Sequence, residues 1–186
     1  ASDVYKRQNE NTLVSFNSSV AKLAQKEDTT RYIVQAQIDS SNANKVCAKW
    51  SKNGNVDYTG VNLYVGFKSS VSSADDEGRK GITDTLNRKL NEYKQTYNAS
   101  SMMITEYGAG ANINQHATMD ENFSWSSDDA SKDKHYEEYQ AFVLETYYSL
   151  IQKRKDIPVS FVWNMFDFSC YRNCLLYTSP SPRDCS

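Results

Sequence analysis

The residue types best suited to chemistry in this chain are carboxylates at the ends of apolar runs. Residues 101–110 read S-M-M-I-T-E-Y-G-A-G, so the largely apolar run from Met102 to Thr105 leads directly to Glu106 and a glycine-containing loop. A short apolar run bounded by turn residues is typical of a buried parallel strand. An acid at the end of such a strand lies where α/β folds place their chemistry. Glu106 is therefore the first catalytic candidate, and the alternative is a strand-end glutamate that simply faces solvent.

A second acid, Glu10, follows Asn9 and precedes the first helical pattern. Glycoside hydrolysis needs two carboxylates, one to protonate the leaving oxygen and one to attack the anomeric carbon or activate water. Glu10 and Glu106 are the acids predicted to stand at strand ends two or more βα units apart, so they form the candidate pair. Other polar and aromatic residues are expected at the same ends of the strands: Asn9, Asn62, Tyr64, Tyr107, Trp163, Asn164 and Asp167.

The elements that must position these residues alternate between helix and strand. Apolar residues at helical spacing predict three helices, and Asn11 or Thr12 is the expected N-cap of the first. β-rich runs predict strands over 31–38, 57–67, 101–105 and 159–163, the last two of them buried. The predicted apolar helix faces are Leu13, Phe16, Val20 and Leu23, then Ile82, Leu86, Leu90, Tyr93 and Tyr97, then Tyr136, Tyr139, Val143, Tyr147 and Leu150.

Strands that alternate with helices predict βαβ units and a parallel sheet. The predicted fold class is α/β, as a partial (β/α)8 TIM barrel that runs from the end of strand 4 to strand 8. About four strands would make half of a barrel, which typically needs about 250 residues. Loops after the strands of a barrel open on one face, so the strand-end residues are expected to converge there.

Composition narrows the function classes. The chain has 186 residues, enough for one domain with a sizeable core. Its net charge of −2 favours neither nucleic acid nor an anionic membrane as a partner. No apolar run approaches the roughly 18 residues that a membrane span requires. Aromatic residues make up 12%, which suits a sugar-binding cleft but equally a large core.

Both ends of the chain are predicted to be foreign to the protein. Residues 1–8 read A-S-D-V-Y-K-R-Q and resemble a translated sequencing adapter, and residues 174–186 resemble the translation of its partner adapter. Such segments carry no information on the fold, which leaves 9–173 as the native part. That part retains Cys47 and Cys170, too few for a disulfide framework or a metal-ligand cluster. Because the native N-terminus would be missing, cytoplasmic and secreted locations both stay open.

Six motifs, taken in order, resemble glycoside hydrolase family 2. The resemblance covers essentially all of 9–173, from the end of the family's fourth barrel strand through its eighth. The motifs are the Asn9-Glu10 pair, K-E-D-T-T-R at 26–31, G-V-N-L-Y-V-G at 60–66, I-T-E-Y-G-A at 104–109, E-E-Y-Q at 137–140 and V-W-N-M-F-D-F at 162–168.

The resemblance implies roles for individual residues. Glu106 matches the family's nucleophile, and Glu10 matches its general acid/base. His116 falls where family members often carry histidine and could contact substrate, although a solvated loop histidine is the simpler alternative. Asp167 is more simply explained as an acid that braces the last loop. The expected substrate-binding residues are Asn9 at the sugar 2-hydroxyl, Tyr64 as hydrogen-bond donor to the nucleophile, Trp163 as an aromatic wall, and Asn62 and Asn164.

The resemblance also bears on substrate, cofactors and partners. The W-N-M-F-D-F form followed by R-N at 172–173 is similar to β-galactosidase members, so a retaining exo-β-glycosidase acting on β-D-galactosides is expected. A β-glucuronidase or β-mannosidase of the same family, a non-catalytic carbohydrate-binding module and a purely structural α/β scaffold are the alternatives. The resemblance implies no certain cofactor, although Mg²⁺ or Na⁺ could serve the intact enzyme. The expected partner is carbohydrate, with no nucleic acid or membrane, and the intact enzyme could form homo-oligomers.

Overall fold

A computed structural model describes residues 10–39, 56–67, 73–118, 136–164, 166, 169–170 and 175–177. Among these residues, no helix is long and apolar enough to cross a membrane. In chain order the elements are α1 (Glu10–Glu27), β1 (Val34–Gln35), β2 (Tyr58–Asn62), α2 (Asp76–Tyr97), β3 (Met103–Tyr107), β4 (Gly110–Ala111), α3 (Glu137–Lys153), β5 (Ser160–Val162), β6 (Ser169–Cys170) and β7 (Leu175–Tyr177).

Four strands form a parallel sheet in the order β1-β2-β3-β5. Helix α2 connects β2 to β3, and helix α3 connects β3 to β5. Parallel neighbours need such crossovers, since a hairpin can join only antiparallel strands. The predicted α/β class with a parallel sheet of βαβ units is confirmed. The four strands form an open sheet, which does not test whether they are part of a TIM barrel, and the partial TIM barrel stays a prediction.

Helix α2 follows directly from its sequence. Asp75 caps its N-terminus by accepting hydrogen bonds from the backbone N–H groups of Glu77 and Gly78, both at 3.0 Å. Asn98, at a φ of 52°, ends the helix in the left-handed region. The predicted apolar stripe is the buried face: Ile82, Leu86, Leu90, Tyr93 and Tyr97.

Helix α3 contributes the other half of the core. Tyr139, Val143, Tyr147 and Leu150 are all buried, as the helical spacing predicted. Tyr136 precedes the helix as its N-cap residue and makes no side-chain capping bond. The stripes of α2 and α3 pack with each other and with the sheet around side chains that include Val61, Leu63, Met102, Ile104 and Tyr107.

Helix α1 differs from its prediction. It begins at Glu10, so Asn11 and Thr12 lie inside the helix and do not cap it. Three residues of the predicted apolar face are in solvent: Phe16 is 65% exposed, Val20 49% and Leu23 58%. The spacing of apolar residues predicted a helix correctly, but which face is buried depends on a partner layer. The described part of the chain supplies no layer over this stripe.

The two edge strands are shorter and more exposed than predicted. Strand β1 has two residues where eight were expected, and Ile38 beyond it is 60% exposed. Strand β5 was predicted to be buried, but Phe161 is 52% exposed and Val162 43%. An edge strand gains backbone partners on one side only, and no described element covers the outer face of β5. The apolar composition of β5 predicted burial, and the described residues do not supply an element to bury it.

A second, small antiparallel sheet joins the strands in the order β4-β7-β6, an element absent from the sequence prediction. Its strand β7 comes from the segment that we attribute to an adapter. Cys47, Asn9 and Asp167, which the sequence singles out, lie outside the described part of the chain.

Candidate functional site

The C-terminal ends of β2, β3 and β5 lie side by side. Asn62 is the register partner of Glu106, and the backbone N–H of Leu63 donates to the Glu106 carbonyl oxygen at 2.8 Å. On the other side of β3, the backbone N–H of Trp163 donates to the Tyr107 carbonyl at 2.9 Å. These ladder bonds place Asn62, Glu106 and Trp163 side by side at the C-terminal ends of their strands, where a parallel α/β fold offers its ligand site. We call this line of strand ends the edge that carries the site, as distinct from the edge strands β1 and β5.

The central contact of this edge joins Tyr64 to Glu106. The Tyr64 hydroxyl donates to Oε2 of Glu106 at 2.8 Å, and both side chains are half-buried. Glu106 is the fourth of the five residues of β3, so regular backbone on both sides holds its carboxylate. A hydrogen bond from a phenol to a carboxylate fixes one oxygen and leaves the other free to react.

Asn62 is held by a second side-chain bond between the same two strands. The Thr105 hydroxyl donates to Oδ1 of Asn62 at 2.7 Å. The Thr105 side chain can pack this closely on β2 only with glycine at position 60, because a Cβ there would lie 2.3 Å from Cγ2 of Thr105. Because the Asn62 side-chain oxygen accepts this bond, the N–H₂ group of the same amide can serve as the donor to a ligand.

The segment after β5 brings Trp163 and Asn164 to the same edge. The peptide bond between them is cis, and the Trp163 side chain is 39% exposed. Oδ1 of Asn164 is a buried acceptor without a hydrogen-bond partner among the described residues. A buried amide oxygen of this kind favours a donor, and an ordered water or a ligand hydroxyl could provide one.

His116 lies on the loop after β4, where it bonds helix α3. Its Nδ1 is 2.8 Å from Oε1 of Glu138, and the N–H of Ala117 donates to Oε2 of the same carboxylate at 3.1 Å. The hydrogen bond with Glu138 raises the pKa of His116. For Glu138, burial is the largest influence and raises the pKa, but the hydrogen bonds it accepts outweigh burial and lower the pKa overall. The structure therefore gives His116 a helix partner and no described contact with Glu106.

Three predicted site residues cannot be placed against Glu106. Asn9 and Asp167 lie outside the described residues, and for Glu10 only the backbone, at the start of α1, is described. No group of three or more His, Cys, Asp or Glu side chains in the described part could hold a metal ion.

Sequence reasoning missed residues that support the site from helix α3. The tyrosines of α3 were expected to be core and no more, yet the hydroxyls of Tyr139 and Tyr147 bond the backbone of the loop that carries Tyr64. Gln140 donates from Nε2 to the Ala109 carbonyl at 2.9 Å, which fixes the loop after Glu106. The E-E-Y-Q motif at 137–140 was the available signal, since it combines Glu138, Tyr139 and Gln140.

Comparisons with known proteins agree with this geometry at the level of fold. No protein-family description and no curated protein sequence matches the chain. Its structure is similar to a β-glucuronidase of Bacteroides uniformis, with a TM-score of 0.63 and 22% identity over 86% of this chain. It is also similar to an FMN-binding β-glucuronidase of Faecalibacterium prausnitzii L2-6, with a TM-score of 0.61 and 25% identity over 87% of this chain.

A third similar structure belongs to a Bacteroides fragilis protein assigned provisionally as a β-galactosidase, with a TM-score of 0.60 and 24% identity over 88% of this chain. The chain spans 16% of the first of these proteins and 21% of each of the other two. The structural neighbours are glycoside hydrolases, and the mixed α/β fold with its parallel sheet is similar to part of them. The chain is consistent with a fragment of such a hydrolase.

Proposed function

We propose that this chain is part of a retaining exo-β-glycosidase of glycoside hydrolase family 2, called here the parent enzyme. The observation that carries the proposal is the hydrogen bond from Tyr64 to Glu106 at a sheet edge shared with Asn62 and Trp163. A carbohydrate-binding module needs stacking side chains such as Trp163. It does not need a strand-held carboxylate oriented by a phenol.

In the proposed mechanism, Glu106 attacks the anomeric carbon while Glu10 transfers its proton to the leaving glycosidic oxygen. The bond to the leaving group breaks and an ester to Glu106 forms. Glu10, now a carboxylate, takes a proton from water, and the resulting hydroxide equivalent displaces Glu106 with net retention. We expect the two carboxyl groups about 5–5.5 Å apart, the separation typical of retaining enzymes.

The remaining residues of the edge suit the binding of a sugar ring. Trp163 offers a partly exposed indole that can stack on pyranose C–H groups, while Asn62 can donate to a sugar hydroxyl. Asn164 and Asn9 would add polar contacts. His116 could contact substrate through Nε2, because only its Nδ1 is engaged with Glu138.

The proposed substrates are β-D-galactosides, on the strength of the W-N-M-F-D-F motif at 163–168. β-D-Glucuronides are the second candidate, because two of the three similar structures described above are named β-glucuronidases. β-Mannosides are a third possibility within the family. A panel of nitrophenyl β-galactoside, β-glucuronide and β-mannoside, supplied to the parent enzyme, separates the three.

The test of the nucleophile is Glu106→Gln in the parent enzyme. We expect kcat to fall by at least about a thousand-fold on the best substrate of the panel, since removal of a nucleophile usually costs that much or more. Glu92→Gln is the matched control, because Glu92 forms an exposed pair with Arg88 on α2, and we expect unchanged kinetics. Full activity of the Glu106 variant would reject the assignment.

A second measurement distinguishes a nucleophile from a carboxylate that only supports the fold. In Glu106→Ala, azide can occupy the space of the missing side chain and attack the anomeric carbon of an activated aryl β-glycoside. The expected product is the α-glycosyl azide, because one displacement inverts the centre. Sugar binding by the wild-type parent enzyme without turnover of any substrate would instead support the binding-module alternative.

A further inference from the structure

The loop that carries Tyr64 is anchored to helix α3 by a buried tyrosine hydroxyl. The backbone N–H of Val65 donates to the Tyr147 hydroxyl oxygen at 2.8 Å. The same hydroxyl lies 3.2 Å from the carbonyl oxygens of Leu63 and Val65, to which it can donate its single proton. One side chain thus holds the backbone immediately before and immediately after Tyr64.

Tyr147 is suited to this contact because it is fully buried and stays uncharged. Its relative exposure is 0%, and burial raises its pKa well above the ordinary value of 10.0. A neutral hydroxyl keeps both its proton to donate and its lone pairs to accept. In a water-free environment no solvent molecule could take over these bonds if the hydroxyl were removed.

Tyr147 also contacts the strand that carries the carboxylate. Its ring stacks on that of Tyr107, with centroids 5.0 Å apart and an interplanar angle of 8°. Tyr107 follows Glu106 in β3 and is buried. Through its ring and its hydroxyl, Tyr147 therefore fixes both partners of the Tyr64–Glu106 hydrogen bond relative to one helix.

Two further features confine the same turn. The Tyr139 hydroxyl donates to the Gly66 carbonyl oxygen, and the N–H of Phe67 donates to the Tyr64 carbonyl at 3.1 Å. Gly66 has a φ of +89°, and a Cβ there would lie 2.9 Å from Cδ1 of Ile82. The turn can therefore pack tightly against the core only with glycine at this position.

We propose that Tyr147 is a positioning residue of the active site. Its hydroxyl holds the 63–65 backbone so that the Tyr64 hydroxyl meets Oε2 of Glu106, and Tyr147 itself does not contact substrate. The inference rests on the proposed function, because it assigns Tyr147 to the support of that same nucleophile. It extends the site beyond the strand ends to a helix residue more than 80 positions away from Tyr64 in the chain.

The first test is structural and does not depend on turnover. Tyr147→Phe in the parent enzyme removes only the hydroxyl, and Tyr148→Phe is the matched control, since Tyr148 is the next residue and 60% exposed. We expect crystal structures to show the Tyr64–Glu106 hydrogen bond lengthened beyond 3.5 Å, or lost, in the first variant and intact in the second. An unchanged 2.8 Å contact in Tyr147→Phe overturns the inference, whether or not the enzyme proves to be a glycosidase.

The second test is a double-mutant cycle that combines Tyr147→Phe with Tyr64→Phe. We expect each single variant to lower kcat by about ten-fold to a hundred-fold, with KM changed less, as misplacement of a reacting group does. If Tyr147 acts through Tyr64, its removal costs little more once Tyr64 has lost its hydroxyl. Equal losses from Tyr147→Phe in both backgrounds indicate a general structural role and contradict the inference.

Tyr139→Phe provides a second variant should Tyr147→Phe fail to fold. It removes the hydroxyl that holds Gly66, one position beyond the residues that Tyr147 holds. We expect the same non-additivity with Tyr64→Phe, at a smaller magnitude. Additive losses here overturn the inference as well. A wild-type parent enzyme that hydrolyses no glycoside would contradict the proposed function, and the crystallographic comparison would still decide the role of Tyr147.

Discussion

Among individual residues, His116 and Glu138 show how the protein constrains the loop that follows the candidate nucleophile. The carboxylate of Glu138 accepts from the imidazole of His116 and from the backbone N–H of Ala117. Glu137 lies further away, with Oε2 4.0 Å from the same imidazole nitrogen. Two bonds to one carboxylate fasten the loop to the first turn of α3. The bond with His116 depends on the charges of both residues, and the bond from Ala117 depends on that of Glu138.

The pH dependence of this pair follows from the two pKa shifts. The pKa of His116 is raised from 6.5, so its contribution is complete below pH 6.5 and is lost as pH rises through the raised value. The pKa of Glu138 is lowered from 4.5, so its contribution is complete above pH 4.5 and is lost as pH falls through the lowered value. The attachment is therefore strongest between about pH 4.5 and 6.5.

We predict that His116 titrates above pH 6.5 in the folded protein and that Glu138→Gln brings its pKa back towards 6.5. Hydrogen–deuterium exchange at the imidazole C2 position, followed by mass spectrometry across a pH series, measures this in a protein of any size. Glu145→Gln is the control, since Glu145 lies on the same helix and its exposed carboxylate faces Arg79 instead. A His116 pKa unaffected by Glu138→Gln would show that the pair does not form in solution.

At this scale the sequence predicted some contacts and not others. The contact of Tyr64 with Glu106 was expected from the family resemblance, in which Tyr64 matches a tyrosine that bonds the nucleophile. The alternation of helices and strands predicted only that the two residues lie at converging strand ends. His116 and Glu138 are separated in the chain by a segment of which 119–135 lies outside the described residues. No periodicity in the sequence relates the two positions, so their contact was not predicted. The hydroxyl contacts of Tyr147 were equally hidden, because an apolar stripe predicts burial but not what a buried hydroxyl bonds.

Among the elements, α2 contains a matched pair of glycines with opposite expected effects. A Cβ at Gly78 would lie 1.8 Å from the Ser73 carbonyl oxygen, a backbone atom that cannot move without disturbing the N-terminal turn. At Gly81 a Cβ would meet nothing within 4 Å. Glycine at position 78 is thus required by close packing, whereas glycine at position 81 only adds conformational entropy to the unfolded chain.

We predict that Gly78→Ala destabilises the parent enzyme by about 1–3 kcal/mol, the usual cost of overpacking. Gly81→Ala should stabilise the helix by about 0.5–1 kcal/mol, the difference in helix propensity between the two residues. Melting temperatures from scanning calorimetry should move in opposite directions from the wild-type value. A Gly78→Ala protein as stable as wild type would mean that the helix N-terminus does not approach Ser73 in solution.

The elements also show where periodicity suffices and where it fails. The stripes of α2 and α3 were predicted residue by residue, because each helix has the other and the sheet to bury it. The apolar patterns of α1 and β5 predicted a helix and a strand correctly, but the apolar side chains of these elements remain exposed. A hydrophobic pattern specifies which residues seek burial, and only a complete set of packing layers provides it.

For the whole molecule, these exposed surfaces indicate that the described part of the chain does not bury all of its apolar faces. Phe161, Val162 and Trp163 expose apolar area along β5, and Phe166 is 73% exposed beyond it. At the opposite edge, β1 has β2 as its one strand neighbour among the described residues, and Tyr32 beside it is 74% exposed. Open edges and contiguous apolar surface promote association. In the proposed parent enzyme, we expect further segments to cover both edges.

We predict that the 186-residue chain, produced alone, self-associates at micromolar concentration and hydrolyses none of the nitrophenyl glycosides. The combined substitutions Phe16→Ser, Val20→Thr and Leu23→Gln should reduce its association, measured by sedimentation velocity, because they remove the exposed stripe of α1.

In the parent enzyme the same three substitutions should instead lower the melting temperature, since burial of each large apolar side chain contributes about 1.5–3 kcal/mol. Lys22→Gln, on the exposed polar face of α1, should alter neither measurement. A monomeric chain with measurable turnover would contradict the prediction, and an unchanged melting temperature in the parent enzyme would show that nothing covers α1 there.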